Sequence, residues 1–154
     1  MNSRCQVDLI DMQSEPDGYY RFIMNYQDHL IKFTIRRPLK SKTAKEVTYQ
    51  LMDIFCKFGA PFILQSDNGR EFANEIIQNL ADMWQGMKLV HRKPKHSQIQ
   101  GSFERSNQDI RDMLFAWMPV NNTKTWPEGL QFIQSKKHRA LHSFFKTSPY
   151  EATF

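Results

Sequence analysis

Three acidic residues, Asp8, Asp67 and Glu104, are the side chains of this sequence best suited to do chemistry together. Asp8 interrupts the apolar stretch VDLID, Asp67 follows the apolar stretch PFILQS, and Glu104 lies at the start of a helical pattern. There are 58 residues between the first two acids and 36 between the last two. Carboxylates that converge supply the oxygen ligands preferred by a hard cation such as magnesium. Such a site would form only if the predicted elements bring the three acids to one point.

Two of the three acids also have an ordinary structural explanation. Asp67 opens the segment Asp-Asn-Gly, which is typical of a turn because asparagine and glycine tolerate a left-handed backbone. Glu104 lies in the first turn of a predicted helix, where the helix dipole favours acids. Asp8 is the hardest to explain, because a charge in the middle of a central strand is costly unless something pairs with it. Alternation places Asp8 on the strand face opposite Val7 and Leu9.

The elements that must position these acids follow from the spacing of the apolar residues. Five strands are predicted, over residues 5–12, 20–26, 30–37, 61–66 and 88–93. Four helices are predicted, over residues 43–58, 72–83, 102–117 and about 125–142. The connections include turns at 15–18 and 27–29 and a polar loop at 94–101. This order predicts an α/β fold in which helices flank a five-stranded mixed sheet.

Length and composition limit the class of protein. With 154 residues, of which 40% are hydrophobic and 24% charged, the chain is predicted to be one globular domain over residues 1–154. No apolar run approaches the roughly 20 residues of a membrane-spanning helix, so no membrane partner is expected. Cys5 and Cys56 are isolated, which argues against a zinc site or a disulfide framework. A reducing compartment, the cytosol or the nucleus, is expected.

The distribution of charge points to a polyanionic partner. The formal net charge is +5, and three stretches contain basic residues but no acid, at 35–45, 84–102 and 129–150. Basic clusters often form only a solvated face, but three in one small domain favour a nucleic acid as partner.

The segments around the three acids resemble the catalytic core of retroviral-type integrases, which belong to the RNase H-like transferase superfamily. The matching segments are VDLIDM around Asp8, SDNGREF around Asp67 and SQIQGSFERSNQDIRDML around Glu104. The last residues, SPYEATF, are similar to the end of the core in integrases of Gypsy-type LTR retrotransposons. The resemblance covers essentially the whole chain. It implies an RNase H-like fold with the three acids converging at one end of the sheet.

The resemblance also implies an enzyme, a DDE-type DNA integrase with two magnesium or manganese ions. Asp8 would bridge both ions, Asp67 would bind one and Glu104 the other. Two such ions, about 3.5–4 Å apart, activate the attacking oxygen and stabilise the leaving one in an in-line phosphoryl displacement. The nucleophile would be water in 3′-end processing and a DNA 3′-hydroxyl in strand transfer, with no small-molecule substrate.

Further residues are assigned to DNA by position or by resemblance. Gln100 matches a flexible loop over the DNA end, and Asn107 matches a family asparagine. Gln108 and Arg111 follow Glu104 by four and seven residues, so they share its helical face. The alternative for both is a solvated helix face. The predicted DNA-binding residues are Lys93, Lys95, Gln100, Asn107, Gln108 and Arg111.

Assembly and location are expected from the same resemblance. Integrase cores pair through helices away from the catalytic end, which implies a homodimer here. The first helix and the last, with Leu130, Phe132 and Ile133, are expected to offer the apolar surface. A nuclear location is expected, and the chain is expected to be a core excised from a longer protein.

Departures from the family pattern leave alternatives open. Gypsy-type relatives usually have His-Pro-Gln in the loop where this chain has His96-Ser97-Gln98, and a later family asparagine is His138 here. The zinc module and basic C-terminal domain of full integrases are absent from the sequence. A captured host gene is one possibility. The main alternative is a domesticated DNA-binding or protein-interaction module that no longer transposes, and a second is a nuclease for RNA–DNA hybrids.

Overall fold

The fold was described from a computed structural model, in which residues 3–14, 19–31, 33–66, 71–91, 97–121 and 125–139 are described. At 97–104, 106 and 137–139 the description covers the backbone alone. Within these ranges the strands are β1 (Arg4–Asp11), β2 (Phe22–Asp28), β3 (Thr34–Leu39), β4 (Ile63–Ser66) and β5 (Lys88–His91). The helices are α1 (Ala44–Phe58), α2 (Glu75–Asp82), α3 (Ser97–Val120) and α4 (Trp126–Arg139).

The strands form one mixed sheet in the order β3-β2-β1-β4-β5. β2 runs antiparallel to β1 and to β3, and the register pairs Asp8 with Asn25 and Asn25 with Arg36. β4 runs parallel to β1, with Gln6 beside Gln65, and also parallel to β5. The predicted α/β fold with a five-stranded mixed sheet and flanking helices is confirmed, and β1 lies at its centre.

One face of the sheet is covered by α1 and α2 and is apolar. Alternate residues of β1, Cys5 and Val7, are fully buried there against the helices. The side chains that complete this core are Met24, Tyr26, Ile35, Leu39, Val47, Leu51, Ile54, Phe55, Leu64, Ile77 and Leu80. The helical stripe predicted for residues 43–58 is the face of α1 that enters this core.

The other face is covered by α3 and α4 and is apolar only at one end. Ile10, Met12 and Ile23 pack there against Ile110, Leu114, Trp126, Leu130 and Ile133. Alternation along β1 places Asp8 and Gln6 on this same face, at its other end. The prediction that Asp8 lies opposite Val7 is therefore confirmed. The face changes from apolar to polar within two residues of one strand.

The predicted link at 27–29 between the second and third strands is wrong. Asp28 is the last residue of β2, and its Oδ1 accepts hydrogen bonds from the backbone N–H groups of Leu30 (2.8 Å) and Ile31 (3.1 Å). An aspartate whose side chain accepts hydrogen bonds from the backbone N–H groups two and three residues later stabilises a turn that follows it. The turn therefore follows Asp28, and β3 begins at Thr34.

The bounds of α3 also differ from those predicted. The helix begins at Ser97, five residues earlier than predicted and inside the expected loop. It also continues one residue beyond Pro119, the predicted stop, because proline in the last turn removes only one backbone bond. Asn121 closes the end, since its backbone N–H (3.1 Å) and its side-chain amide (3.0 Å) both donate to the Trp117 carbonyl. The predicted turn at 15–18 lies outside the described residues.

Candidate active site

Asp8 is a half-buried carboxylate held by two amides from different elements. Its Oδ1 accepts a hydrogen bond from Nδ2 of Asn25, its register partner on β2, at 3.2 Å. Its Oδ2 accepts from Nδ2 of Asn107 on α3 at 2.8 Å. Because each oxygen has its own donor, the plane of the carboxylate is fixed. A charge at this position needs partners, and the neutral amides of Asn25 and Asn107 supply them, at least in part.

The side-chain amide of Asn107 uses only its nitrogen in the contact with Asp8. Its Nδ2 donates to Asp8, while its Oδ1 is buried and has no hydrogen-bond partner. An unpartnered buried acceptor is uncommon in folded proteins and calls for an explanation. The Asp8 carboxylate itself offers only oxygen ligands, and such ligands suit a hard hydrated cation such as magnesium. This part of the site therefore fits the predicted metal.

The other two members of the predicted triad are less fully described. Asp67 lies outside the described residues, directly after Ser66, the last residue of β4. Glu104 belongs to α3, three residues before Asn107, but its side chain is not among those described. Among the side chains that are described, no three histidine, cysteine, aspartate or glutamate residues gather as a metal site. The convergence of the triad remains a prediction.

Ser66 makes a contact at the end of β4. Its Oγ lies 3.2 Å from Nδ1 of His91, which ends the neighbouring strand β5. This bond ties the two strand ends together immediately before Asp67. The backbone that leads into the predicted ligand is thereby fixed on one side.

A buried cation lies in the same row as Asp8. Arg36 is only 4% exposed although it carries a guanidinium group. Burial lowers the pKa of Arg36 to about 10, and the attraction of Asp8 and Asp109 opposes this change. Arg36 therefore remains charged at neutral pH. In the sequence, Arg36 is one residue of the basic stretch at 35–45, and Asn25 lies within a predicted strand.

The predicted DNA-binding residues lie in different settings. Lys93 and Lys95 are outside the described residues, and Gln100 lies in α3 without a described side chain. Gln108 is exposed and donates to Asp112 Oδ1 at 2.9 Å. Arg111 donates from its Nη2 to the backbone carbonyl of Asp11, and its Nε is buried without a partner. Asn107 contacts Asp8 itself. A role in DNA binding remains a prediction for all six.

Solved structures share this fold over nearly the whole chain. The catalytic core domain of BIV integrase matches with a TM-score of 0.78 and 20% identity, covering 99% of this chain and 94% of that one. The HTLV-2 integrase catalytic core domain, in complex with magnesium in a trimeric form, matches with a TM-score of 0.81 and 14% identity, covering 99% and 97%. A chain of the simian T-cell lymphotropic virus intasome in complex with PP2A regulatory subunit B56 gamma matches with a TM-score of 0.85 and 16% identity, covering 99% and 54%.

The chain has the fold of a retroviral integrase catalytic core. The predicted resemblance to these cores is thus confirmed. Two curated proteins are also similar in sequence. Human KRAB-A domain-containing protein 2 is 42% identical over 154 residues, which are 100% of this chain and 31% of that protein. The Pol polyprotein of radiation murine leukemia virus (strain Kaplan) is 30% identical over 122 residues, which are 79% of this chain and 21% of that protein.

The chain spans less than a third of the length of either curated relative. It matches no established protein-family profile. Among the described residues, no helix is long and apolar enough to cross a membrane. The similarity to the viral Pol polyprotein agrees with the integrase-core fold, and the similarity to the human protein is compatible with a domesticated form.

Proposed function

We propose that this chain is an integrase-type polynucleotidyl transferase core that acts on DNA through Asp8, Asp67 and Glu104 with two magnesium or manganese ions. The observation that carries the proposal is the hydrogen bond of 2.8 Å between Asn107 and Asp8. It joins α3, which contains Glu104, to the centre of β1. A helix that must deliver one ligand is thus attached to the strand that delivers another.

The sheet register supports a place for the remaining ligand. β1 and β4 are parallel, with Gln6 beside Gln65. Asp8 and Asp67 each follow this pair by two residues in the sequence. Residues three apart in a helix share one face, and Glu104 precedes Asn107 by three. Both relations favour convergence of the three carboxylates.

The chemistry divides between the metal ions and the residues that hold them. The ions would supply activation of the attacking oxygen and stabilisation of the leaving oxygen in the phosphoryl displacements of 3′-end processing and strand transfer. Asn25 and Asn107 hold the Asp8 carboxylate in one orientation, so little reorganisation is needed during the reaction.

The proposed partner is DNA. The acid-free basic stretches supply positive charge for phosphate, and among their described residues Lys40, Lys42, Lys88 and Lys136 are exposed. A chain of an intasome is among the proteins that share the fold. Lys93, Lys95, Gln100, Gln108 and Arg111 are proposed to contact DNA, and binding should weaken steeply with salt because phosphate contacts release counterions. A nuclear location follows from this partner.

A homodimer is the proposed assembly, through α1 and α4. Of the three apolar residues expected to form its surface on α4, Leu130 and Ile133 are instead buried within the domain core. Phe132 remains 48% exposed, and Tyr49 on α1 is 66% exposed. The apolar contact would therefore depend on Phe132 and Tyr49. Sedimentation that detects only monomer at high micromolar concentration would contradict this assembly.

The experiment is a joining assay on a pre-formed branched DNA with manganese, which removes the need to find DNA ends. Wild type should resolve the branch, and Asp8→Asn and Asp67→Asn should reduce product to background, because the amide keeps the shape but lacks the charge that the ions require. Asn107→Ala should cost about 10–100-fold, the usual effect of losing a residue that orients a ligand. Asp11→Asn is the matched control, since Asp11 is an exposed acid three residues along the same strand.

A second function is favoured by one observation, the 42% identity to a human protein of which the chain covers 31%. In this alternative the chain is a domesticated DNA-binding or protein-interaction module. DNA binding measured by fluorescence anisotropy should then be unaffected by Asp8→Asn. If wild type and Asp8→Asn are equally inert on the branched substrate while both bind DNA, the transferase proposal is rejected in favour of the module.

A further inference from the structure

Three residues on adjacent strands form one polar row across the sheet. The register pairs Asp8 on β1 with Asn25 on β2, and Asn25 with Arg36 on β3. Residues that are paired in antiparallel strands point to the same face, so all three side chains face α3 and α4. We call Asp8, Asn25 and Arg36 the polar row. Only Asp8 reaches partial exposure, since Asn25 is 1% and Arg36 4% exposed.

The interior end of the polar row carries a fixed positive charge. Nη1 of Arg36 donates to Thr34 Oγ1 at 2.8 Å, and its Nε has no hydrogen-bond partner. The backbone N–H of Arg36 donates to Gln134 Oε1, so the edge strand is tied to α4 at this residue. Burying a guanidinium is costly unless a negative charge compensates it. The acids that attract Arg36 are Asp8, at the other end of the row, and Asp109 on α3.

We propose that Arg36 is a positioning residue that acts as the buried counter-charge of Asp8 and sets the affinity of the site for divalent cations. Asn25 lies between the two in the row and donates a hydrogen bond to Asp8. The proposal rests on the proposed function in one respect, namely that Asp8 binds a metal ion. Arg36 acts through the charge balance of the row.

Coulomb's law gives the sign of the effect. Without metal, the guanidinium attracts the Asp8 carboxylate across the row and offsets its charge. When a divalent ion binds, the same guanidinium repels it, so Arg36 weakens metal binding while stabilising the metal-free protein. For a unit charge acting on a divalent ion across roughly 10 Å with partial solvent screening, the effect on affinity is about tenfold.

The first test needs no metal. Folding equilibrium constants are measured by urea unfolding, in the presence of a chelator, for wild type, Asp8→Asn, Arg36→Met and the double variant. Asp8→Asn should be destabilising in wild type, because it leaves Arg36 with Asp109 alone to compensate its charge, and neutral or stabilising beside Arg36→Met. We expect a coupling of about threefold in the folding constant, since the product of two unit charges is half that of a unit charge and a divalent ion. Arg36→Gln replaces Arg36→Met if the latter does not fold.

The second test measures manganese affinity by the EPR signal of the free ion. Arg36→Met should bind manganese about tenfold more tightly than wild type. Arg36→Lys, which keeps the charge, should return the affinity to within about threefold of wild type by the same reasoning. Arg37→Met is the matched control. Arg37 is the next residue on the same strand, faces α1 and pairs with Asp53 at 2.9 Å.

The outcomes separate this inference from the proposed function. If wild type binds manganese no better than Asp8→Asn, the metal site is rejected, and the double-mutant cycle alone decides on the counter-charge. If the double-mutant cycle shows no coupling between Asp8 and Arg36, the role of Arg36 as counter-charge is rejected. Weaker manganese binding by Arg36→Met also overturns it, because a purely structural arginine would loosen the site when removed. Coupling together with tighter binding supports it.

Discussion

The two faces of the central sheet use the same strands for different purposes. Towards α1 and α2, β1 presents Cys5 and Val7 within a continuous apolar core. Towards α3 and α4, the same strand presents Ile10 in an apolar cluster but Asp8 and Gln6 in a polar region. The first face resembles the core of any α/β domain. The second divides into an apolar half that holds the helices and a polar half that holds the candidate site.

This difference indicates where stability and function reside. Buried apolar area provides most of the free energy of folding, and it is continuous on the α1/α2 face. The polar half instead contains amide oxygens without hydrogen-bond partners, those of Gln6, Asn25, Gln27 and Asn107. Such groups cost stability. The unpartnered amides beside Asp8 therefore belong to the candidate site and do not contribute to stability.

The largest effect is expected in the apolar core of the α1/α2 face. Phe55 is 2% exposed, and its ring packs edge-on against Tyr26 (centroids 6.1 Å apart) and Trp84 (5.4 Å). Phe55→Ala should lower the free energy of unfolding by about 3–5 kcal/mol in urea denaturation. Lys45→Ala is the control on the same helix, because Lys45 is exposed and its replacement should change stability by no more than about 0.5 kcal/mol. Equal losses would contradict the assignment of the main core to this face.

A smaller loss is expected where α3 and α4 touch. A Cβ added to Gly129 would lie 2.6 Å from Cε3 of Trp117, which is too close for carbon atoms. Gly129→Ala should therefore cost about 1–3 kcal/mol, although alanine favours a helix. In the Trp117→Leu background the same change should cost less, since the clashing ring is gone. A stabilising Gly129→Ala in the wild-type background would show that the two helices are not in close contact at this point.

In the polar half of the α3/α4 face, a substitution is expected to leave the free energy of unfolding unchanged or to raise it. Gln6 is 5% exposed, and its Oε1 has no partner. Gln6→Met keeps the volume and removes the unpartnered amide, so it should be neutral or stabilise the fold by up to about 1 kcal/mol. Val7→Thr is the matched control on the other face, where a new hydroxyl in the apolar core should cost about 1–3 kcal/mol. If Gln6→Met costs as much as Val7→Thr, the two faces do not differ in the way described.

The sequence predicted the fold class because periodicity reports burial along one strand or helix. It identified Asp8 for the same reason, since a charge amid alternating apolar residues conflicts with burial. Asn25 and Arg36 were missed because their role depends on the pairing of three strands, which the pattern within a single strand does not reveal. The signal available was Asn25 between apolar neighbours in FIMNYQD and the pair of arginines in TIRRPL.

Turns were predicted less well than strands, for a local reason. Asp28 was expected to lie in the link after β2, but its side chain binds the N–H groups of Leu30 and Ile31 and shifts the turn towards the C-terminus. Composition marks a turn without fixing which residue accepts the hydrogen bonds. The convergence of Asp67 and Glu104 with Asp8 remains a prediction from resemblance, supported by the register and by Asn107.

The smallest effect is expected outside both faces, on the solvent side of α1. The Lys57 ammonium, at 3.1 Å from Asp53 Oδ2, together with Arg37, holds the pKa of the Asp53 carboxyl below its usual range. A carboxyl with a lowered pKa in the folded state stabilises the fold above its unfolded pKa, about 4, and loses this contribution as pH falls through the lower folded value. Lys57→Met should therefore raise the pKa of Asp53 in an NMR titration. It should also slightly reduce stability at neutral pH, but not at a pH below the lowered pKa of Asp53 in the folded protein. High salt should abolish the difference, because exposed pairs are screened. A difference that persists in high salt would show that Lys57 stabilises the fold by something other than this exposed ion pair.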